Sequence, residues 1–550
     1  MNLFKENLSR LQETHPHLIE PLRAASPLPE RELETLDVRQ VVETHFRDPF
    51  DAAILNGLGT GALGLVLSQK YRKPLLVLSS LRELRSALEY TDLRPLLEFA
   101  AFTLTDESVA LQQGLRTFLS RCEFATVLVY SISDAHLAHE PEIQVALNFH
   151  RVALQTLIDA GEEFEQNAVR NLAYRDSLGV DAFQACLRGR TAVVIGAGPS
   201  LTEALPELRR RQDDTCLVAV GRALRPLVQA GVQPHFVVSL DYSNLVEQQF
   251  DLEIPERTRL VYDADSRHTI PARFPAHRRI TYGTSSSLSL WSAPFMGDRG
   301  RLERSLSVGH SAYFFASLMS PDRIVMIGLD CAYPDDRIHA EGVVTYRDQT
   351  EGDGKPVWVE SVRGDRIRSD AAFSAFIPAF ELAIRNRGDL VVNASPIGAR
   401  IRGTREEALP SALGPVGSPL KLPDPEPPAF DAGSFIMHRI QVSNDLYSLG
   451  DSARRGLQLL DKPNRWDEVL KIRDLLRTPS ETSSLLERIL TGTVRKLRVL
   501  TIQGETSGKN RREVLRAQCR VLFTDVARAT KLLYHWLRDL PSPVRESSHA

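Results

Sequence analysis

Between residues 191 and 395 the chain carries seven short apolar runs: TAVVIG, TCLVAVG, HFVVSLD, RLVYDAD, RRITYG, RIVMIGLD and LVVNAS. Runs of this length, rich in Val, Ile and Leu, suit buried strands. Segments such as ALRPLVQAG and SAYFFASLMS, lying between them, suit helices. Strands that are apolar throughout and alternate with helices predict a mainly parallel sheet covered on both faces.

Other regions read differently. At 550 residues the chain exceeds one compact core, since domains run to roughly 150 residues each. Near the start, Ala52 to Leu55 and Pro74 to Leu78 flank a glycine-rich turn and a predicted helix, and ATVLVYS offers a further strand. That is a βαβ pattern. Residues 407–434 hold seven prolines, too many for helix or central strand, so this stretch is a linker or an extended wrapping segment. Beyond it the pattern is helical. Ser480 is placed to cap a helix bearing Leu485, Leu486, Ile489, Leu490, Val494 and Leu497. The expected organisation is an α/β chain: a Rossmann-like unit with helical flanks over 1–160, a central α/β domain over 165–405, a proline-rich linker over 406–434 and an all-helical domain over 435–550.

Several classes are excluded by bulk properties. A net charge of -3 provides no strong overall field for nucleic acid or an anionic membrane, which leaves only local patches. No apolar run approaches membrane-spanning length and the first residues are polar, so the expected compartment is the cytosol. Cys122, Cys186, Cys216, Cys331 and Cys519 form no C-x-x-C pair, which argues against a disulfide framework or a structural zinc site.

The residues with chemistry fall mostly in the central region. In TAVVIGAGPSLTEAL, Gly196 and Gly198 allow a tight turn, and Ser200 can cap the following helix and donate a hydroxyl. A helix N-terminus with unpaired N–H groups is an anion site. The stretch departs from the dinucleotide fingerprint, because Leu201 stands at the third glycine and Arg222 follows the next strand where a ribose-binding acid is expected. No Gly-Lys-Ser/Thr follows, so it is no P-loop. A plain strand–turn–helix junction remains the alternative. Asp241 and Asp330 end apolar strands, where carboxylates point into a ligand crevice or cap a turn. His339 follows in a polar loop and can act as a general base at neutral pH, or be merely solvated. Ser285 adds a hydroxyl after another strand. Gly309, His310 and Ser311 open a helix, as a second anion site or a cap. The turn at Gly57, Gly59 and Gly61 is explained equally by a ligand or by close helix–strand packing. Asp335 and Asp336 read as a solvated pair, and no Asp-x-Asp ends a strand.

In order, VVIGAGPSL, GRALRPLVQAGVQPHFVVSLDYS, GHSAYFFASLM, IVMIGLDCAY, HAEG and VVNASPIGARIRG resemble one family domain. It is shared by motility-associated factor (Maf) glycosyltransferases and archaeal-type 6-hydroxymethylpterin diphosphokinases. The resemblance covers residues 165–405. The flanking LNGLGTGALGLVL and YSISDAHLAHEPEIQVAL, with the helical end, resemble the Maf layout. The resemblance implies a sialyltransferase-like central domain that transfers a nonulosonic acid from a CMP-activated donor to Ser or Thr of flagellin in the cytoplasm. It implies no tightly bound cofactor, leaves the metal requirement open, and implies no nucleic-acid or membrane partner. Gly196, Gly198, Pro199 and Ser200 would hold the nucleotide. Asp241 and Gly309 to Ser311 would line the donor pocket, and Ser285 would add a donor contact. Asp330 and His339 would lie at the transferred sugar, with His339 as base. Gly221 stands where the family often has asparagine, and Leu329 and Cys331 flank Asp330 where a more polar neighbour is usual. The competing readings are a pterin pyrophosphokinase using ATP and Mg²⁺, and a non-catalytic flagellin-binding module. The basic residues Arg495, Lys496, Arg498, Lys509, Arg511 and Arg512 would grip an acidic partner, or form the solvated face of a helical bundle.

Overall fold

The computed structural model describes residues 3–541 except 48–49, 107, 121–125, 285, 304–305, 345–355, 463 and 508–509. Cys122, Ser285 and Lys509 therefore lie outside the described residues. The chain forms two compact units, Met1–Gln155 and Thr156–Ala550. No helix among the described residues is long and apolar enough to cross a membrane.

The first unit holds a parallel sheet of β1 (Ala52–Asn56), β2 (Leu75–Ser79), β3 (Ala101–Leu104) and β4 (Val127–Ser131), in the order β3-β2-β1-β4. β1 and β2 are buried along their whole length, as their apolar runs require. β3 has an exposed first residue and no continuous apolar run, so the pattern of its sequence does not announce it. The turn after β1 has positive φ at Gly57, Gly59 and Gly61. It wraps a carboxylate from its own chain: Leu58 N–H and Gly59 N–H donate to Glu83 Oε1 at 3.0 and 2.7 Å. A Cβ on Gly59 would stand 2.7 Å from the Glu34 carbonyl oxygen. Close packing around an internal acid accounts for these glycines.

The second unit is built on β5 (Leu178–Gly179), β6 (Thr191–Ile195), β7 (Cys216–Val220), β8 (Phe236–Val238), β9 (Arg259–Asp263), β10 (Arg279–Tyr282), β11 (Arg323–Ile327), β14 (Val391–Asn393) and β15 (Arg405–Glu406). The order is β15-β14-β11-β6-β7-β8-β9-β10-β5, and every neighbouring pair is parallel. All seven strands expected from the apolar runs are present. The two-residue edge strands β5 and β15 carry no such signal. Nor does the antiparallel hairpin β12 (Val357–Glu360) with β13 (Arg366–Ser369), which is mostly exposed.

Residues 407–434 wrap the unit. A short helix, Leu409–Leu413, leads into an extended run held by arginines. Buried Arg211 donates to the carbonyls of Leu413, Gly414 and Pro415, and Arg259 donates to the Pro423 carbonyl. Proline leaves carbonyls without matching N–H groups, and the guanidinium donors meet them.

The C-terminal helices, chiefly Ala432–Leu460, Trp466–Arg477, Glu487–Ser507 and Arg511–Arg538, belong to the same compact unit. Phe435, Leu446 and Leu533 share a core with Trp291 and Phe295 of the central region. Ser480 caps the short helix Glu481–Ser484 in a reciprocal box with Ser483. Of the predicted apolar positions, Leu485, Leu486 and Ile489 are buried while Val494 is exposed.

One contact between the C-terminal and central regions carries a prediction. Arg488 grips Asp265 through two hydrogen bonds, at 2.5 and 3.0 Å, with buried Glu165 4.0 Å away. Burial pushes the Glu165 carboxyl up to about 8 against the attraction of Arg488, with Asp265 and Glu487 adding to the rise. The native state then holds a proton that the unfolded chain has lost, so this group's contribution to stability falls as pH rises from near 4.5 to about 8 and is constant outside that window. Glu165→Gln is expected to remove this slope. Thermal midpoints of both proteins, followed across that pH window, check it, and parallel profiles would refute the assignment.

Candidate functional site

The chain leaves β6 toward β7, β8, β9 and β10 on one side, then returns to place β11 on the other. β6 and β11 thus flank the switch point, beyond whose carboxyl ends ligands bind in open parallel sheets. A cavity of about 410 Å³ lies there. Its walls come from the turns after β6, β7, β8 and β11, from the start of the helix Val308–Leu318, and from the helix Ala371–Arg387.

The turns after β6 and β11 are locked together. Gly196 N–H donates to the Ile327 carbonyl and Gly198 N–H to the Gly328 carbonyl, both at 2.8 Å. A Cβ on Gly196 would stand 2.2 Å from the Gly328 oxygen, and one on Gly198 would stand 2.4 Å from Asp330 Oδ2. Asp330 accepts from Ser200 N–H at 2.9 Å and from the Ser200 hydroxyl at 2.5 Å. Ser395 then donates to Ser200 Oγ at 3.0 Å, and Gly328 N–H donates to it at 3.0 Å. The N-terminus of the helix Ser200–Arg211 is therefore occupied by an acid of its own chain.

This geometry bears on two expectations. Gly196 and Gly198 border the cavity, but their N–H groups and the donors of Ser200 are spent on β11 and Asp330. Pro199 has no N–H and does not line the cavity. Asp330 is 3% exposed, and burial pushes its carboxyl up against the downward pull of the Ser200 and Ser395 hydrogen bonds. It ties β11 to the β6 turn through Ser200.

A cationic group stands elsewhere on the wall. Arg222, in the turn after β7, donates from Nη1 to His339 Nε2 at 2.8 Å. A guanidinium only donates, so Nε2 is the accepting nitrogen of the imidazole. Both side chains line the cavity. Nearby, the helix Val308–Leu318 begins at Ser307 with no side-chain cap, and Ser307, Val308 and Gly309 line the cavity. The Ser307 hydroxyl, which could have capped it, bonds His310 Nδ1 at 2.8 Å.

His310 and Ser311 lie behind this wall. His310 is fully buried, stacks on Phe380 at 3.7 Å and donates from Nε2 to the Phe376 carbonyl at 3.2 Å. Burial lowers its pKa to about 3, so the ring is neutral and its Nδ1 accepts from Ser307. Ser311 is also buried, and neither residue lines the cavity. His310 shapes the helix start from behind.

The turn after β8 supplies Asp241, which lines the cavity and accepts from Ser243 N–H at 2.9 Å. Ser239 lines it too. Its hydroxyl is buried without a hydrogen-bond partner among the described residues. An orphaned buried polar group costs about 1–3 kcal/mol.

Sequence reasoning missed Ser239, Ser307, Tyr333, Asp370 and the aromatic wall of Phe373 and Phe376. Asp370 caps the helix Ala371–Arg387 through Phe373 N–H at 2.7 Å and accepts from the Tyr333 hydroxyl. The Asp370-x-x-Phe373 cap preceding an apolar helix was the signal available. The loop after β11 also holds Cys331, Asp335 and Asp336 at positive φ. Such strain in side-chain-bearing residues concentrates at functional sites. Among the described residues no group of three or more His, Cys, Asp or Glu side chains is arranged to hold a metal ion.

Residues 166–336 match the family described as 6-hydroxymethylpterin diphosphokinase MptE-like. No curated protein matches the chain. Among solved structures, it is similar to a Maf glycosyltransferase from Magnetospirillum magneticum AMB-1, with a TM-score of 0.53 and 15% identity, over 98% of this chain and 95% of that one. At that identity the likeness is one of fold. The chain therefore carries an MptE-like domain within the fold of a Maf glycosyltransferase, as the order of its motifs led one to expect.

Proposed function

We propose that this protein is a glycosyltransferase that uses a nucleotide-activated sugar bound in the β6/β11 cavity. The observation that carries the reading is the placement of Arg222 and the uncapped helix start at Ser307 to Gly309 on one cavity at the switch point. Together they offer a guanidinium and backbone N–H groups to a phosphate. The similar fold of a Maf glycosyltransferase supports transfer of a sugar.

On this reading the donor is a CMP-activated nonulosonic acid and the acceptor is a Ser or Thr hydroxyl of flagellin, modified in the cytoplasm. The acceptor oxygen bonds to the anomeric carbon as the bond from that carbon to the phosphate oxygen breaks. The electron pair leaves with CMP. Arg222 and the helix N–H groups stabilise the charge that develops on the departing phosphate. The phosphate competes with His339 for the Arg222 guanidinium. That releases the Nε2 lone pair to accept the hydroxyl proton.

A thermal-shift titration of the full chain tests the reading. CMP is expected to raise the midpoint, because a ligand that binds only the folded state stabilises it. A rise with ATP and Mg²⁺ alone would favour the pterin pyrophosphokinase. Flagellin binding with no response to any nucleotide would favour the binding module.

A further inference from the structure

We infer that Ser239 and Asp241 form the subsite for the ribose of the donor nucleotide, recognising its 2′- and 3′-hydroxyls. The inference rests on the glycosyltransferase reading above and specifies which part of the donor meets which wall.

The first support is the hydrogen-bonding capacity left over after β8. One carboxylate oxygen of Asp241 takes Ser243 N–H, and the other has no partner among the described residues. Ser239 borders the same stretch of cavity and holds a buried hydroxyl with no partner among the described residues. A carboxylate oxygen accepts from hydroxyls, and a serine hydroxyl both donates and accepts. Two adjacent ring hydroxyls complement that pair.

The second support is charge. Asp241 disfavours an anion at this wall, while Arg222 attracts one at the turn after β7. A nucleotide carrying a sugar acid has two anionic parts, its phosphate and the sugar carboxylate. Both are drawn toward Arg222 and the helix start. The neutral polyol of the nucleoside is the part that Asp241 accepts, which favours ribose over the transferred sugar.

The third support is rigidity. Arg267 N–H donates to the Asp241 carbonyl, Ser266 donates from Oγ to the Ser239 carbonyl, and Asn167 donates from Nδ2 to the Tyr242 carbonyl. Three separate donors thus fix the backbone behind both side chains. A site held this way discriminates a ligand by the hydroxyl it lacks. It also relocates the ribose-binding acid. The end of β7, next to β6, offers Gly221 and Arg222, and the acid appears one strand further on.

The test compares CMP with 2′-deoxy-CMP by calorimetric titration of the full chain, in wild type, Ser239→Ala and Asp241→Asn. Wild type is expected to prefer CMP by about tenfold or more. Both variants are expected to lose that preference by weakening CMP while leaving 2′-deoxy-CMP nearly unchanged. Ser239→Ala removes an unpartnered hydroxyl, so its thermal midpoint should not fall, which keeps the test open should Asp241→Asn fold poorly. If wild type binds the two nucleotides equally, the ribose assignment is wrong while the glycosyltransferase reading stands. If the variants bind CMP normally but bind CMP-sialic acid weakly, the pair faces the transferred sugar. If no nucleotide binds wild type, the reading beneath the inference fails and the inference goes with it.

Discussion

Gly196→Ala is expected to destabilise the second unit by about 3 kcal/mol or more, a change at the upper end for single substitutions. The added methyl would stand 2.2 Å from the Gly328 carbonyl oxygen and 2.6 Å from its carbon. Neither atom is the end of a flexible side chain. Gly328 cannot retreat, because its carbonyl accepts from Gly198 N–H and its own N–H donates to Ser200. Both strands lie in the middle of the sheet, so relief would have to break pairing between β6 and β11. Gly492→Ala provides the opposite case. That glycine lies in the helix Glu487–Ser507 with nothing within 4 Å of an added Cβ. Alanine there should raise stability by about 0.5–1 kcal/mol through helix propensity. Denaturant or thermal unfolding of both variants checks the pair. A Gly196→Ala protein as stable as wild type would mean the two turns are not locked.

Arg222→Ala is expected to weaken CMP binding about 10- to 100-fold, corresponding to ~1.5–3 kcal/mol for hydrogen bonds to a charged group. Among the described residues that line the cavity, Arg222 is the one arginine or lysine. On the proposed function its loss removes the charge that would draw the phosphate. Lysine should restore only part of the affinity, because it lacks the planar fork. Wild-type affinity should fall with added salt more steeply than that of Arg222→Ala. Calorimetric titration at two salt concentrations reads both effects. Unchanged affinity would place the phosphate away from β7.

The seven apolar runs that became β6 to β11 and β14 were legible because a strand buried on both faces needs little besides apolar, β-branched residues. Elements that are short or exposed left no comparable trace, as β5, β15 and the β12–β13 hairpin show. The cavity was legible in outline. Gly196, Gly198, Asp241, Gly309, Asp330 and His339 all border it. Their duties were less readable. Ser200 and Asp330 lie 130 residues apart, and no local pattern says that one satisfies the other. His310 follows Ser307 at helical spacing in an apolar segment, which signals a buried histidine as readily as a ligand contact. Ser239 sits inside a strand-like run, where a serine is unremarkable until its partners are counted.

The sequence by itself determined the alternation of strand and helix, the order of the motifs and the parallel sheet. Those follow from periodicity and from residues whose backbone preferences are local. The tertiary structure alone decided which anion fills each glycine turn: Glu83 after β1 and Asp330 at the helix after β6. It also decided that Arg222 meets His339 and that Ser239 and Asp241 share a wall. Each is settled by which strands become neighbours. A hydrogen bond or an ion pair acts over a few ångströms in space, whatever number of residues separates its partners along the chain.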